Sequence, residues 1–178
     1  MKNSSEGMSK EDIIKYLELL NDKLRFRGKT GELSMVGGAV MCVCFDSRIS
    51  TMDVDALFEP QYIIYQCAKE IAEEYGLPHN WLNDGVSVYL SKEGKYRIFL
   101  SMSNLKVYVA VPEYMLAMKC LSARLYNQNE MDDIRVLIKS LGIKSLQEVR
   151  DIIDKYYSSE VVKLGTWEFI KEILEDGC

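Results

Sequence analysis

No run of about 18 apolar residues occurs in the chain, which excludes a membrane-spanning helix. The opening Met-Lys-Asn-Ser-Ser-Glu-Gly also lacks the apolar stretch of a secretory signal, so a soluble, cytoplasmic protein with no membrane partner is expected. Basic excess is missing too: 22 Lys and Arg stand against 27 Asp and Glu, a net charge of −5. That argues against a non-specific nucleic-acid binder, although a small local basic patch stays open. Histidine is nearly absent. The single His79 follows Pro78 in a loop, has no His or Cys partner at ligand spacing, and reads as structural. The cysteines are odd in number, Cys42, Cys44, Cys67, Cys120 and Cys178, and sit among apolar neighbours. Cys42 and Cys44 are too close for a zinc ribbon and no second pair completes a site, so they read as buried thiols, with Cys178 in a tail. No internal repeat or low-complexity segment is present.

What the chain has is enough apolar material for one core. At 178 residues and 48% hydrophobic content, one domain or two lobes is the expectation. Residues 1–8 read as a disordered lead-in. From Ser9, an N-cap followed by Asp12, the spacing of Ile13, Ile14, Leu17, Leu20 and Leu24 predicts a helix. Leu33–Val36 reads as a strand. The apolar stretch 39–45 could be strand or helix, and a helix starting at the glycine pair is favoured. Thr51–Phe58 predicts a strand stopped by Pro60, and 61–75 a helix ending near Gly76. Trp81–Gly85 reads as a turn. Val86–Leu90, Tyr96–Leu100 and Leu105–Val109 read as three strands of a small meander. Beyond Pro112 the spacing turns helical, through Leu125 and again over 132–139, 146–157 and 166–175. The expected fold class is α+β: a small mixed sheet flanked by helices over 9–111, with a helical lobe over 112–178 packed on it.

One segment carries chemistry. Asp53 and Asp55 flank a single valine, and in an extended strand residues two apart point to the same face, so both carboxylates project together and can hold a divalent metal. Upstream, Gly37 and Gly38 let backbone N–H groups approach an anion, and Ser50 and Thr51 add hydroxyls before the carboxylates. Glycine pair, hydroxyl pair and carboxylate pair together suggest a nucleoside triphosphate. Each taken singly has a plainer reading: Asp-x-Asp is common at strand ends, Gly-Gly is most often a tight turn, Arg48 can be a solvated loop residue, and Lys119 can lie at the edge of a core.

Gly37-Gly38-Ala39, Arg48-x-Ser50-Thr51-x-Asp53-Val-Asp55, Trp81-Leu-Asn83-Asp84, Pro112-Glu113 running to Lys119, and Glu130-x-x-Asp133 together resemble the minimal nucleotidyltransferases of the polymerase-beta superfamily. The likeness is to the uncharacterised bacterial branch related to abortive-infection toxins, and it runs from about Leu33 to Asp154. It implies Mg²⁺-dependent transfer of a nucleotidyl group from an NTP such as ATP to an acceptor hydroxyl. RNA, for example a tRNA end, is the candidate acceptor, and a toxin–antitoxin role with an antitoxin protein as partner goes with it. By the same resemblance Asp53 and Asp55 are catalytic and hold the metal, and Gly37 and Gly38 cradle phosphate. Ser50 and Thr51 add hydroxyls, Arg48 neutralises charge, and Lys119 is a catalytic lysine near the triphosphate. Many such enzymes carry a third carboxylate on a later strand, and Leu105–Val109 has none, which leaves Glu130 or Asp133 as substitutes. The alternatives are a catalytically impaired nucleotide-binding or interaction protein on the same fold, and an antibiotic-type small-molecule nucleotidyltransferase.

Overall fold

The computed structural model describes residues 7–124 and 127–175. Residues 1–6, most of the expected lead-in, lie outside the described residues, as do Leu125 and the terminal Cys178. The fold is α+β, a five-stranded mixed sheet flanked by helices, with a C-terminal run of helices. By contact density the chain divides into two compact units, one comprising the chain up to Tyr89 together with Tyr96–Val109, the other Leu90–Lys95 together with the chain from Ala110 onward.

The first unit begins with α1 (Lys10–Phe26), closed at its start by a capping box in which Ser9 and Asp12 satisfy each other's backbone N–H. Its apolar spacing buries Ile13, Leu17, Leu20 and Leu24 completely. α1 packs on α3 (Gln61–Tyr75), whose Ile64, Cys67, Ala68 and Ile71 follow the same period. The sheet runs β3 (Leu82–Asn83), β2 (Val54–Glu59), β1 (Gly31–Met35), β5 (Leu105–Ala110), β4 (Tyr96–Ser101). β1 pairs antiparallel with β2 and parallel with β5, and β2 pairs parallel with β3. Alternation sorts the two faces. Leu33, Met35, Val54, Ala56, Val107 and Val109 are buried, whereas Glu32, Asp55, Leu57, Lys106 and Tyr108 keep exposure on the other side. Burying each large aliphatic side chain of this core is worth about 1.5–3 kcal/mol.

Three expectations need correction here. Met8, assigned to the lead-in, is buried and forms an antiparallel bridge with Thr51. Trp81–Gly85 is not only a turn, since Leu82 and Asn83 add a strand beside β2. Val86–Leu90 is not a strand, so the meander reduces to the β4–β5 hairpin; residues Gly85–Tyr89 form a 3-10 turn instead. The Asn83 side-chain oxygen accepts the Gly85 N–H at 3.0 Å, and the Asp84 carbonyl accepts the Ser87 N–H at 2.9 Å. These bonds curl the chain and consume backbone groups that a strand ladder would need.

The second unit holds α4 (Pro112–Ser122), α5 (Gln128–Leu141), α6 (Leu146–Asp154) and α7 (Leu164–Glu175). Pro112 starts α4 where its missing N–H costs nothing, Asn127 and Ser145 cap α5 and α6, and Gly142 ends α5 in the left-handed region. The strap Leu90–Lys95 is fastened to α4: the Ser91 N–H donates to the Tyr114 hydroxyl at 2.9 Å and the Val111 N–H to the Lys95 carbonyl at 3.0 Å. Gly94 lies so close to the Tyr114 ring that a Cβ there would stand 2.6 Å from it.

Candidate functional site

The motif of the first unit closes into one place. Val36 ends the β1 segment by donating its N–H to the Asp55 carbonyl at 2.9 Å, and the next two residues open α2 (Gly37–Phe45). Gly37 has φ +69°, and a Cβ there would sit 3.0 Å from the Asp55 carboxylate. Gly38 stands against the loop before β2: a Cβ there would meet the Thr51 hydroxyl at 2.8 Å and the Arg48 guanidinium at 3.1 Å. The glycines therefore let a helix start close against a carboxylate, a hydroxyl and a guanidinium. Val36 caps α2 without a side-chain hydrogen bond. A helix start of this kind presents N–H groups and the positive end of the helix dipole.

Asp53 precedes β2 and Asp55 lies within it, on either side of the fully buried Val54. Both carboxylates are half-buried, and strand alternation puts Asp55 on the face opposite the core. Burial, and secondly the charge of Asp55, hold the Asp53 carboxyl above the usual carboxylate range. Two like charges this close are what a cation relieves. Mg²⁺ takes one or two protein carboxylates when a triphosphate supplies further oxygens, so the pair fits that ion. Among the described residues no group of three or more His, Cys, Asp or Glu is placed to hold a metal.

The hydroxyl pair divides. Thr51 is buried, bridges to Met8 through both backbone groups, and donates its hydroxyl to the Asp53 carbonyl at 3.2 Å. Ser50 is exposed, and its hydroxyl lies against Gly7, where a Cβ would stand 2.7 Å away. Of the two, Thr51 is the one placed beside the glycine pair.

Lys119 belongs to the second unit. On α4, its ammonium pairs at 2.7 Å with Asp133 of α5, whose side chain is 0% exposed. Glu130 accepts from the Arg124 backbone N–H at 2.7 Å and from its guanidinium at 2.8 and 3.1 Å. Both acids that could substitute for a third carboxylate are thus buried in ion pairs within the helical unit. Cys42, Cys67 and Cys120 are buried thiols, and burial pushes Cys120 up to about 12.

Sequence reasoning left Asn83 and its supports out of the site. In the parallel pairing of β2 with β3, Asn83 is the register partner of Asp55, and Leu82 that of Val54. Trp81, fully buried, donates its indole N–H to the Ala68 carbonyl at 2.9 Å, and its own carbonyl accepts the Val54 N–H at 2.6 Å. Asp84 accepts from the Tyr65 hydroxyl at 2.6 Å and from the Gln61 amide, both on α3. A two-residue strand has no periodicity to read, so the signal was only the adjacency of Trp, Asn and Asp.

Comparison of the chain with protein-family models, curated proteins and solved structures finds no match.

Proposed function

We propose that the first unit binds a nucleoside triphosphate with Mg²⁺ and transfers its nucleotidyl group to a hydroxyl acceptor. The carrying observation is the approach of Gly37 to the Asp55 carboxylate, which sets an uncapped helix start beside two metal-competent acids. In this reading the N–H groups at the start of α2 and the Arg48 guanidinium receive phosphate oxygens. Asp53 and Asp55 hold the metal, which when bound supplies charge neutralisation at the phosphates. The acceptor oxygen bonds to the α-phosphorus, the α–β anhydride bond breaks, pyrophosphate leaves, and the hydroxyl proton passes to water. Catalysis rests on positioning and electrostatics, as phosphoryl transfer in general does. The resemblance to toxin-like nucleotidyltransferases favours RNA as the acceptor and an antitoxin as partner.

Incubation with each α-labelled NTP, Mg²⁺ and total RNA should place label on RNA, and Asp53→Asn with Asp55→Asn should abolish it. No transfer from any NTP to RNA or to small hydroxyl acceptors would sink the catalytic reading. A second reading, nucleotide binding without turnover, draws on a specific observation: β5, beside the central β1, carries no acid. Mg²⁺-dependent NTP binding without transfer would select it.

A further inference from the structure

We infer that Asn83 is a nucleotide-binding residue, donating its side-chain amide to an oxygen of the nucleotide held at Asp53 and Asp55. This inference rests on the reading of that site given above. It starts from register. Asn83 and Asp55 are Cα partners across parallel strands, and paired residues of neighbouring strands direct their side chains to the same face. Leu82 and Val54, the pair before them, are both fully buried, so Asn83 and Asp55 both face away from the core.

The amide is also oriented. Its oxygen accepts the Gly85 N–H at 3.0 Å, which fixes which end of the group is turned toward the backbone. The nitrogen, with two N–H donors, makes no hydrogen bond to any described residue. An amide nitrogen cannot ligate a metal, but it donates to hydroxyl or phosphate oxygens. Being neutral, it adds no third charge beside two carboxylates already in mutual repulsion.

The position is held from both sides in sequence. Trp81 is locked to α3 through the Ala68 carbonyl and to β2 through the Val54 N–H. Asp84 is locked to α3 through Tyr65 and Gln61. A turn that needed only to reverse the chain would not require anchors on each side of one half-exposed amide. A group whose supports are fixed loses little freedom on binding, which is what a positioned donor requires.

The shared chemistry is a ligand oxygen, on a sugar hydroxyl or on the β- or γ-phosphate, and the test separates the two. ATP, GTP, CTP and UTP, each with its 2′-deoxy and 3′-deoxy forms and its monophosphate, are titrated with Mg²⁺ by calorimetry into wild-type protein, Asn83→Ala and Asn83→Ser. The serine hydroxyl can still accept the Gly85 N–H, keeping the turn, but is too short to replace the amide donor. Both variants should bind the preferred NTP about ten-fold more weakly, the scale of one lost hydrogen bond. They should also lose the wild type's preference over one analogue: over a deoxy form if the contact is to the sugar, over the monophosphate if it is to phosphate. Wild-type affinities in Asn83→Ser, or an equal loss for every analogue, would overturn the inference while leaving the NTP site standing. Absence of Mg²⁺-dependent binding of all four NTPs by the wild type would overturn both.

Discussion

Gly37 and Asp55 are packed so closely that a single added methyl group would stand 3.0 Å from the carboxylate oxygen. The glycine also has φ +69°, a conformation that costs an L-residue about 1–2 kcal/mol. Gly37→Ala should therefore lower unfolding free energy by at least about 1 kcal/mol in urea titrations. If the carboxylate is the metal-holding group, the same variant should weaken Mg²⁺-dependent NTP binding by more than Gly76→Ala, a left-handed glycine with nothing near its added Cβ.

The Asp53 carboxyl, held above its usual range by burial and by Asp55, penalises the folded state whenever it is ionised. That penalty is present at neutral pH and disappears once acid protonates the group in both folded and unfolded chains. Asp53→Asn should thus be more stable than wild type at pH 7, with the advantage shrinking as pH falls through the carboxylate range. Paired melting curves across pH test this. An advantage that grows on acidification would show that the carboxylate is stabilised by its surroundings.

The ion pair of Lys119 with the fully buried Asp133 makes a different kind of prediction. Lys119→Met takes the ammonium away from a fully buried carboxylate, so it should cost about 3–5 kcal/mol of stability. Lys119→Met with Asp133→Leu should recover most of that loss. If the recovered double variant still transfers nucleotide, the pair acts through packing alone; if it is stable and inactive, Lys119 or Asp133 serves the reaction.

Trp81→Phe removes the indole hydrogen bond to the Ala68 carbonyl, which keeps its helical partner within α3. The expected cost is about 0.5–1.5 kcal/mol, the net worth of one hydrogen bond. Because the indole also fixes the residue two before Asn83, NTP affinity measured well below the melting temperature should fall with it. Unchanged affinity would show that Asp84 and its α3 partners suffice to hold the turn.

The helices were readable because their signal is long: Ser9 with Asp12, then Ile13, Leu17, Leu20 and Leu24, repeats one message along the length of α1. The helix at Gly37 was readable from its chemistry, since apolar residues 39–45 fit either element and the glycine pair decided between them. Val86–Leu90 misled because alternation shows only that a strand would have two faces; it cannot show that a neighbouring strand is there to pair with. At the site, sequence proximity linked Ser50 and Thr51, yet the bridge to Met8 sends one toward Gly7 and the other toward Gly38. That bridge spans 43 positions from Met8 to Thr51, and nothing local encodes it. Asn83 was hidden for a similar reason, because its partnership with Asp55 exists only in the register of two strands.

The strap Leu90–Lys95 belongs to the helical unit, although the chain returns to the sheet for Tyr96–Val109 before the helices begin. During synthesis, then, the strap emerges ahead of the Tyr114 that fastens it, and the last sheet strands emerge between the two. A cut at residue 111 would not separate two modules; it would leave the strap on one fragment and its anchor on the other. The two units are written into each other along the chain, so neither can be inherited, swapped or lost as one continuous piece of sequence.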